Sequence, residues 1–368
     1  MPRVMIFGPA YLDRVLRVEE PLRDPASSAP VDQSVEGHWK FTEGSSLELW
    51  DAAGSTLRIR LPDDWPGPFG QFELGGPFRF DTAGVRQVHG VSWHDDLGGK
   101  GAGFAAALSG TLNCALGAED DWTSQRVEEL LRREGIDYRA VRIPGRSADS
   151  TLLVSSGKHG DKLAIGFRGC HKVLDPASMV AGNDQACELR VVAALPNKLA
   201  GSVLAAPGAR CRLFAPAMRN MIDEECRVSG FAGSIDLLCC NRHEWEMLAD
   251  REEVAPRVSI LVVTDGAKGA LARFRGPRGE LGTVKQPAFP RDRPPADTNR
   301  AGEAFAACLV ASLLAGGWEP ASAVVEPELI RYAMKRASAA AALTLDRTTF
   351  GFPSDEQIDA ALAAGKVP

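Results

Sequence analysis

From residue 97 to the C-terminus, short apolar runs alternate with stretches long enough to form a helix, and this alternation restricts the fold more than any other feature. The clearest runs occupy 189–195, 211–215, 235–240 and 258–264. Buried parallel strands are near-continuous apolar runs, and the helices that connect them cover both faces of the sheet. We therefore predict a doubly wound, mostly parallel α/β sheet in three layers (α/β/α), built from 1–20 and 97–368.

The segment 21–96 differs in composition, because it is polar and is interrupted by proline and glycine. It contains runs that alternate polar and apolar residues, at 47–50, 56–61, 69–74 and 78–80. Period-two alternation between glycine turns is typical of antiparallel strands. Four of the seven tryptophans also lie in this segment: Trp39, Trp50, Trp65 and Trp93. We interpret 21–96 as a β-rich lid or insertion.

Patterns within the larger part predict its other elements. A hairpin is expected from 150–155 and 162–167, and helices are expected at 101–112, 123–134, 328–345 and 354–362.

Composition excludes several classes of function. The 368 residues carry a net charge of −6, which argues against a nucleic-acid partner, and no apolar run approaches the length of a membrane span. None of the eight cysteines forms a Cys-x-x-Cys pair, which argues against a zinc site. Because no secretion signal is present, reduced thiols and a cytoplasmic location are expected.

A glycine-containing turn at 297–303, Asp-Thr-Asn-Arg-Ala-Gly-Glu, runs directly into a helical pattern of small residues. The first N–H groups of a helix are free and carry the positive end of its dipole, so they form an anion site. Glu303 lies in this turn. A carboxylate beside an anion site is placed to take the proton from a hydroxyl that attacks a phosphoryl group.

Two further features precede this turn. Glycines at Gly98, Gly99, Gly101 and Gly103 surround Lys100 ahead of a helix, where backbone approaches a ligand closely. The alternative is a strand-to-helix turn with no ligand. Asp13 follows the first strand, at the edge of the sheet where ligands bind; the alternative is a solvated loop acid.

Two more features follow buried strands. Asn241 and Glu244 lie one helical turn apart and share a face that suits Mg²⁺ chemistry, although ordinary N-capping by Asn241 is the alternative. Thr264, Gly266 and Gly269 form a glycine turn that borders a ligand, leads into a hairpin, or does both.

The order of these features resembles that of the ribokinase-like (PfkB) sugar kinases. The turn at 297–303 resembles the family's Asp-Thr-x-Gly-Ala-Gly-Asp signature, and 98–103 resembles its Gly-Gly-Lys-Gly-Ala-Asn element. Asn241-x-x-Glu244 and Thr264-x-Gly-x-x-Gly resemble two further motifs, and the resemblance covers 1–20 and 97–365. The departures are Arg300 in place of the first glycine, Glu303 in place of the catalytic aspartate and Gly103 in place of the asparagine.

The resemblance implies transfer of the ATP γ-phosphate to a primary hydroxyl of a sugar or sugar-like alcohol, with Glu303 as general base. Arg300, Ala301 and Gly302 would form the anion hole. The implied acceptor residues are Asp13, Gly98, Gly99, Lys100 and Gly103. The implied nucleotide residues are Asn241, Glu244, Thr264, Gly266, Gly269, Asp297, Thr298 and Ser338. Glu244 would also order Mg²⁺ through water. Family members commonly need Mg²⁺, often a monovalent cation such as K⁺, and many dimerise through the lid.

The departures leave alternatives open. Arg300 either points at the γ-phosphate as an in-built arginine finger or pairs with Glu303 and closes the anion hole. Correspondingly, the chain is a sugar kinase, a catalytically inactive relative that binds a sugar or nucleotide, or a nucleoside kinase with the same chemistry.

Overall fold

The structure is a computed structural model that describes residues 3–22, 37–42, 46–51, 56–65, 85–156, 161–167, 169–175, 178–179 and 186–367. None of the helices in these ranges is long and apolar enough to cross a membrane.

A nine-stranded sheet forms the centre of the larger part. Its strands, in chain order, are β1 Val4–Phe7, β7 Thr111–Leu116, β8 Tyr138–Arg142, β11 Cys187–Ala193, β12 Ala209–Ala215, β13 Leu237–Asn241, β14 Ile260–Thr264, β15 Ala270–Arg275 and β16 Leu281–Gln286. Their spatial order is β16-β15-β14-β13-β12-β11-β1-β7-β8, and every pair from β14 to β8 is parallel. Only the pairs β14–β15 and β15–β16 are antiparallel. The mostly parallel doubly wound sheet is therefore confirmed.

Helices pack on both faces of this sheet. In chain order they are α1 Lys100–Leu108, α2 Trp122–Arg133, α3 Asn197–Ala205, α4 Met218–Met221, α5 Arg242–Met247, α6 Arg251–Val254, α7 Ala301–Ala315, α8 Pro327–Thr344 and α9 Asp355–Ala364. Strand β11 shows how the two cores arise. Leu189 and Val191 pack in the core that contains α1, α7 and α8, whereas Val192 packs in the core that contains α3. Alternating side chains of one apolar strand thus supply both layers.

A second sheet of seven strands lies beside the first. It comprises β2 Tyr11–Val18, β3 Gly37–Thr42, β4 Ser46–Asp51, β5 Thr56–Arg60, β6 Val85–Gly98, β9 Ser150–Ser156 and β10 Asp161–Phe167. The spatial order is β10-β9-β2-β6-β5-β4-β3, and a small core including Leu16, Ile59 and Val154 covers one face.

The predicted hairpin of β9 and β10 is confirmed. Because β2, β9 and β10 join β3–β6, this sheet draws on chain outside 21–96. The division into an α/β core and a lid at 21–96 stays a prediction. The expected strands at 69–74 and 78–80 lie outside the described residues.

One helix prediction was too long. The helix expected at 101–112 ends at Leu108, and Thr111–Leu116 is strand β7. Ser109 takes a left-handed conformation (φ 50°) and its N–H closes the last turn of α1. A side chain at Gly110 would collide with Ile6, so the chain passes there in a tight turn.

Candidate active site

Four of the sequence motifs meet in one small cavity at the carboxyl ends of β12, β13 and β14. Its lining residues are Lys100, Phe104, Ala215, Cys239, Cys240, Asn241, Glu244, Thr264, Gly302, Glu303 and Ala306. Ligands of open α/β sheets bind at this edge. The motifs that contain Lys100 and Glu303, about 200 residues apart in the chain, are therefore brought together at the edge where ligands bind.

The N-terminus of α7 forms one wall of the cavity. Arg300 is the N-cap, and the first helical hydrogen bond runs from the N–H of Ala304 to the carbonyl of Arg300. The preceding loop is held by the N–H of Asn299, which donates to Asp297 Oδ1 at 2.9 Å. The N–H groups at the start of this 15-residue helix precede its hydrogen-bond ladder, which gives the cavity a positive wall.

Glu303 lies in the first turn of α7, against α1. A Cβ atom added to Gly103 would lie 3.2 Å from Glu303 Cγ and 3.4 Å from Phe352 Cζ, so the glycine lets the glutamate stem pack on the α1 backbone. Within the described part of the chain, the Glu303 carboxylate forms no hydrogen bond or ion pair. A carboxylate with no protein partner is available to a ligand.

Lys100 crosses the cavity from the start of α1. Its Nζ donates to the carbonyl oxygen of Pro216 and, at 3.2 Å, to Glu244 Oε1. Burial acts to lower the Lys100 pKa, but the negative charges of Glu244 and Glu303 outweigh it and the pKa is raised. The lysine therefore stays positively charged at neutral pH. In contrast, burial raises the pKa of the Cys239 thiol to about 12, so that wall of the cavity is neutral.

Asn241 and Glu244 form a capping box at the start of α5. The Glu244 N–H donates to Asn241 Oδ1 at 2.7 Å, and the Asn241 N–H donates to Glu244 Oε2 at 2.9 Å. The N-capping role that was the alternative for this motif is therefore present in the structure. Each Glu244 oxygen already accepts one hydrogen bond, one of them from Lys100. The Glu244 carboxylate, with both oxygens engaged, fits Mg²⁺ that is held through water better than Mg²⁺ that is bound directly.

Asp13 and the glycine pair precede Lys100 and do not line the cavity themselves. Asp13 lies in β2 opposite Asp96 of β6, and a Cβ added to Gly98 would lie 2.1 Å from Asp13 Oδ2. Gly99 has φ 95°, and a Cβ there would lie 2.4 Å from the Pro9 carbonyl oxygen. Both glycines are required by close approach, and Gly98 leaves the Asp13 carboxylate directly against the backbone.

Arg300 turns to a partner that the sequence did not indicate. Its Nη1 donates to Asp96 Oδ2 at 3.1 Å, and its guanidinium lies 5.7 Å from the centre of the Phe350 ring. The two charged side chains are 11% and 4% exposed. No ion pair joins Arg300 to Glu303, both of which the structure describes. The predicted closure of the anion hole by that pair is therefore wrong for this structure.

Asp96 is the residue that sequence analysis missed. Its Oδ1 also accepts the N–H of Phe350 at 3.2 Å, so one buried carboxylate joins β6, the start of α7 and the segment before α9. The signal was present as two adjacent acids, Asp95 and Asp96, separated from the glycine pair only by Leu97. A carboxylate that is buried near the ligand-binding edge of the sheet requires a positively charged partner.

The remaining predicted residues lie around the cavity and do not line it. Gly266 (φ 50°) and Gly269 (φ 93°) form the tight turn between β14 and β15, which confirms the hairpin alternative for that motif. Ser338 is buried in α8, where its hydroxyl donates to the Pro287 carbonyl at 3.2 Å. Asp297 and Thr298 belong to the loop before α7.

Comparison with known proteins agrees with this architecture. Residues 78–357 match the family described as pfkB family carbohydrate kinase. No curated protein matches the sequence significantly.

Solved structures of low sequence identity share the fold over nearly the whole chain. The ribokinase of Giardia lamblia superposes with a TM-score of 0.66 at 16% identity, covering 99% of this chain and 100% of that one. The nucleoside kinase of Methanocaldococcus jannaschii gives 0.64 at 13% identity, covering 99% of each chain. The nucleoside kinase of Burkholderia thailandensis in complex with inosine gives 0.62 at 17% identity, covering 99% of this chain and 100% of that one. With a ribokinase-like fold and a family match over most of its length, the chain belongs to the PfkB family of carbohydrate kinases.

Proposed function

We propose that this protein is an ATP-dependent phosphotransferase that acts on a primary hydroxyl of a sugar or sugar-like alcohol. The observation that carries the proposal is the convergence of Lys100, Glu244 and the unpaired carboxylate of Glu303 at the N-terminus of α7. A cation, an anion site and a base in one cavity are the parts that phosphoryl transfer needs.

Glu303 acts as the general base. The acceptor oxygen forms the new bond to the γ-phosphorus, its proton passes to the Glu303 carboxylate, and the bond from the γ-phosphorus to ADP breaks. Glutamate places this base one methylene farther from the backbone than aspartate does. Contact with Gly103 fixes the stem of that longer side chain, which limits the loss of orientation.

The start of α7 and Lys100 bind the transferring phosphoryl group. The N–H groups of Arg300, Ala301 and Gly302 supply fixed donors, and Lys100 supplies a full positive charge. Arg300 acts through its backbone here, because its side chain pairs with Asp96 and positions the loop. Lys100 would keep its contact with Glu244, and its positive charge would stabilise the negative charge of the phosphate.

The nucleotide and the acceptor are assigned to different groups of residues. Mg²⁺ would be held by ATP and by water on Glu244, and would neutralise phosphate charge. The proposed nucleotide residues are Asn241, Thr264, Gly266, Gly269, Asp297, Thr298 and Ser338. Asp13, Gly98, Gly99 and Gly103 hold the acceptor, with the Asp13 carboxylate accepting from its hydroxyls. K⁺ as a further cofactor, a cytoplasmic location and dimerisation through the seven-stranded sheet remain parts of this proposal.

A nucleoside acceptor is the second candidate. The Burkholderia thailandensis nucleoside kinase, which shares the fold, is described with inosine and with ADP and inosine. Incubation of the purified protein with Mg-ATP and separate panels of sugars, sugar alcohols and nucleosides, followed by mass spectrometry, separates the candidates. A phosphorylated sugar supports the proposal, and product from nucleosides alone replaces the acceptor class. Binding of ATP with no product from any panel would instead support a catalytically inactive relative.

Gly103→Ala is expected to lower kcat while leaving ATP binding unchanged. The new methyl group would sit 3.2 Å from Glu303 Cγ, so the base must move by a few tenths of an ångström. Because a displacement near 1 Å costs about 100-fold in rate, we expect a loss between a few-fold and about 100-fold. The matched control is Gly230→Ala, where an added Cβ meets no atom within 4 Å. Equal kcat in the two variants would show that the position of Glu303 does not set the rate.

A further inference from the structure

A cluster of three metal-binding side chains lies outside the cavity, and its Cys170 packs in the core that contains α3. Asp149 precedes β9, and Cys170 and His171 begin a short turn of 3₁₀ helix. Asp149 and Cys170 are fully buried, and His171 is 7% exposed. A carboxylate oxygen, a thiol sulfur and an imidazole nitrogen from these residues lie within 4.8 Å of one another.

Two of the three distances within the cluster match those of a tetrahedral zinc ion, and the third is within 4.8 Å. Bonds of about 2.3 Å to sulfur and about 2.0–2.1 Å to nitrogen or oxygen place sulfur and nitrogen ligands about 3.6 Å apart, and nitrogen and oxygen ligands about 3.3 Å apart. Cys170 Sγ lies 3.6 Å from His171 Nδ1, and His171 Nδ1 lies 3.2 Å from Asp149 Oδ2. An ion pair between Asp149 and His171 alone does not account for the sulfur beside the same nitrogen.

The surroundings hold these ligands in place. The Gly169 N–H donates to Asp149 Oδ1 at 2.6 Å, which fixes the carboxylate and leaves Oδ2 towards His171. The edge of the Tyr11 ring packs against the imidazole, with centroids 6.1 Å apart. Cys170 Sγ also lies 3.4 Å from the carbonyl oxygen of Ala115. Support of this kind orients metal ligands in proteins.

We propose that Asp149 Oδ2, Cys170 Sγ and His171 Nδ1 bind one Zn²⁺ ion. The fourth ligand is water or the Ala115 carbonyl oxygen, and the thiol proton is released to solvent when the ion binds. The missing Cys-x-x-Cys pair argued against zinc, but that pattern covers ligands close in sequence, and Asp149 lies 21 residues before Cys170.

The ion would stiffen the base of the second sheet. The Asp149 carbonyl accepts the Leu12 N–H at 3.3 Å, and β9 pairs with β2 from Leu12 onwards. Asp13 is the next residue, so the zinc site would hold the strand that carries the proposed acceptor ligand. Its role would be structural, independent of whether the cavity is a kinase site.

Untagged protein, stripped of metal, is titrated with Zn²⁺ against a coloured chelator, and then with Co²⁺. We expect one zinc ion per chain and a near-ultraviolet thiolate-to-cobalt band. Cys170→Ser should remove the band and weaken Zn²⁺ binding by at least about tenfold, since even outer contacts of a metal site are worth that much. The control Cys211→Ser, at a buried cysteine in strand β12, should leave both unchanged.

Two results would overturn the site: Zn²⁺ binding no tighter in the wild-type protein than in Cys170→Ser, or no thiolate band with Co²⁺. If Cys170→Ser does not fold, His171→Gln takes its place: Zn²⁺ binding weakened by at least about tenfold supports the site, and unchanged Zn²⁺ binding overturns it.

Discussion

Replacing Glu303 with glutamine is expected to lower kcat by about 10²–10⁴-fold while the affinity for ATP and acceptor stays within a few-fold of the wild-type value. Glutamine keeps the shape of the side chain and its contact with Gly103, but it cannot take a proton. The loss follows because Glu244 is the only other carboxylate among the described residues that line the cavity, and it is engaged by Lys100 and by the Asn241 N–H. Steady-state kinetics and calorimetric titration with ADP measure the two effects separately.

The control for this change is Glu328→Gln. Glu328 is also a glutamate in the first turn of a long helix, α8, but it is exposed and pairs with Arg331. It therefore reports any effect of removing a negative charge from a helix N-terminus. Equal turnover in Glu303→Gln and Glu328→Gln would exclude Glu303 as the base.

Replacing Arg300 with alanine is expected to lower the free energy of unfolding by about 3 kcal/mol. The change leaves Asp96 buried, with Arg133 Nη2 at 3.8 Å as its remaining side-chain cation in the described chain. A buried carboxylate whose one remaining ion pair is long and made to a half-exposed arginine is costly, because it has lost water and most of its counter-charge. Urea denaturation measures the loss. A loss below about 1 kcal/mol, as found for exposed pairs, would contradict a structural role for this contact.

Glycine at the same position separates charge from backbone strain. Arg300 has φ 66°, which favours glycine, so Arg300→Gly should be less destabilising than Arg300→Ala by about 1 kcal/mol. Ser109→Gly is the matched control, because Ser109 has φ 50° and caps α1 without an ion pair. That variant should gain up to about 1 kcal/mol. Stabilisation by Arg300→Gly as well would mean that the Asp96 pair contributes nothing.

The doubly wound, mostly parallel sheet was the most predictable part of this protein. Runs such as 235–240 and 258–264 are apolar enough to be strands buried on both faces, and the motifs at their carboxyl ends had to meet at one edge. The helix expected at 101–112 was overextended because apolar residues continue from α1 into β7 without a polar break. The conformation of Ser109, which ends α1, leaves little trace in the sequence.

Side-chain pairing across long distances was the least predictable part. Asp96 and Arg300 are 204 residues apart, and neither residue specifies its partner through local spacing. The sequence offered two roles for Arg300, both inside the anion site, because Asp96 had not been considered. Asp149 presents the same problem, since only the folded chain brings it beside the adjacent residues Cys170 and His171.

The most direct test of the account is the position of Glu303 in a crystal structure of the protein with Mg²⁺, a non-hydrolysable ATP analogue and the acceptor found in the panel. The account predicts a Glu303 carboxylate at hydrogen-bond distance, about 2.6–3.2 Å, from the acceptor hydroxyl that faces the γ-phosphate, with Arg300 still paired to Asp96. A carboxylate turned away from that hydroxyl, or an Arg300 guanidinium in its place, would contradict it.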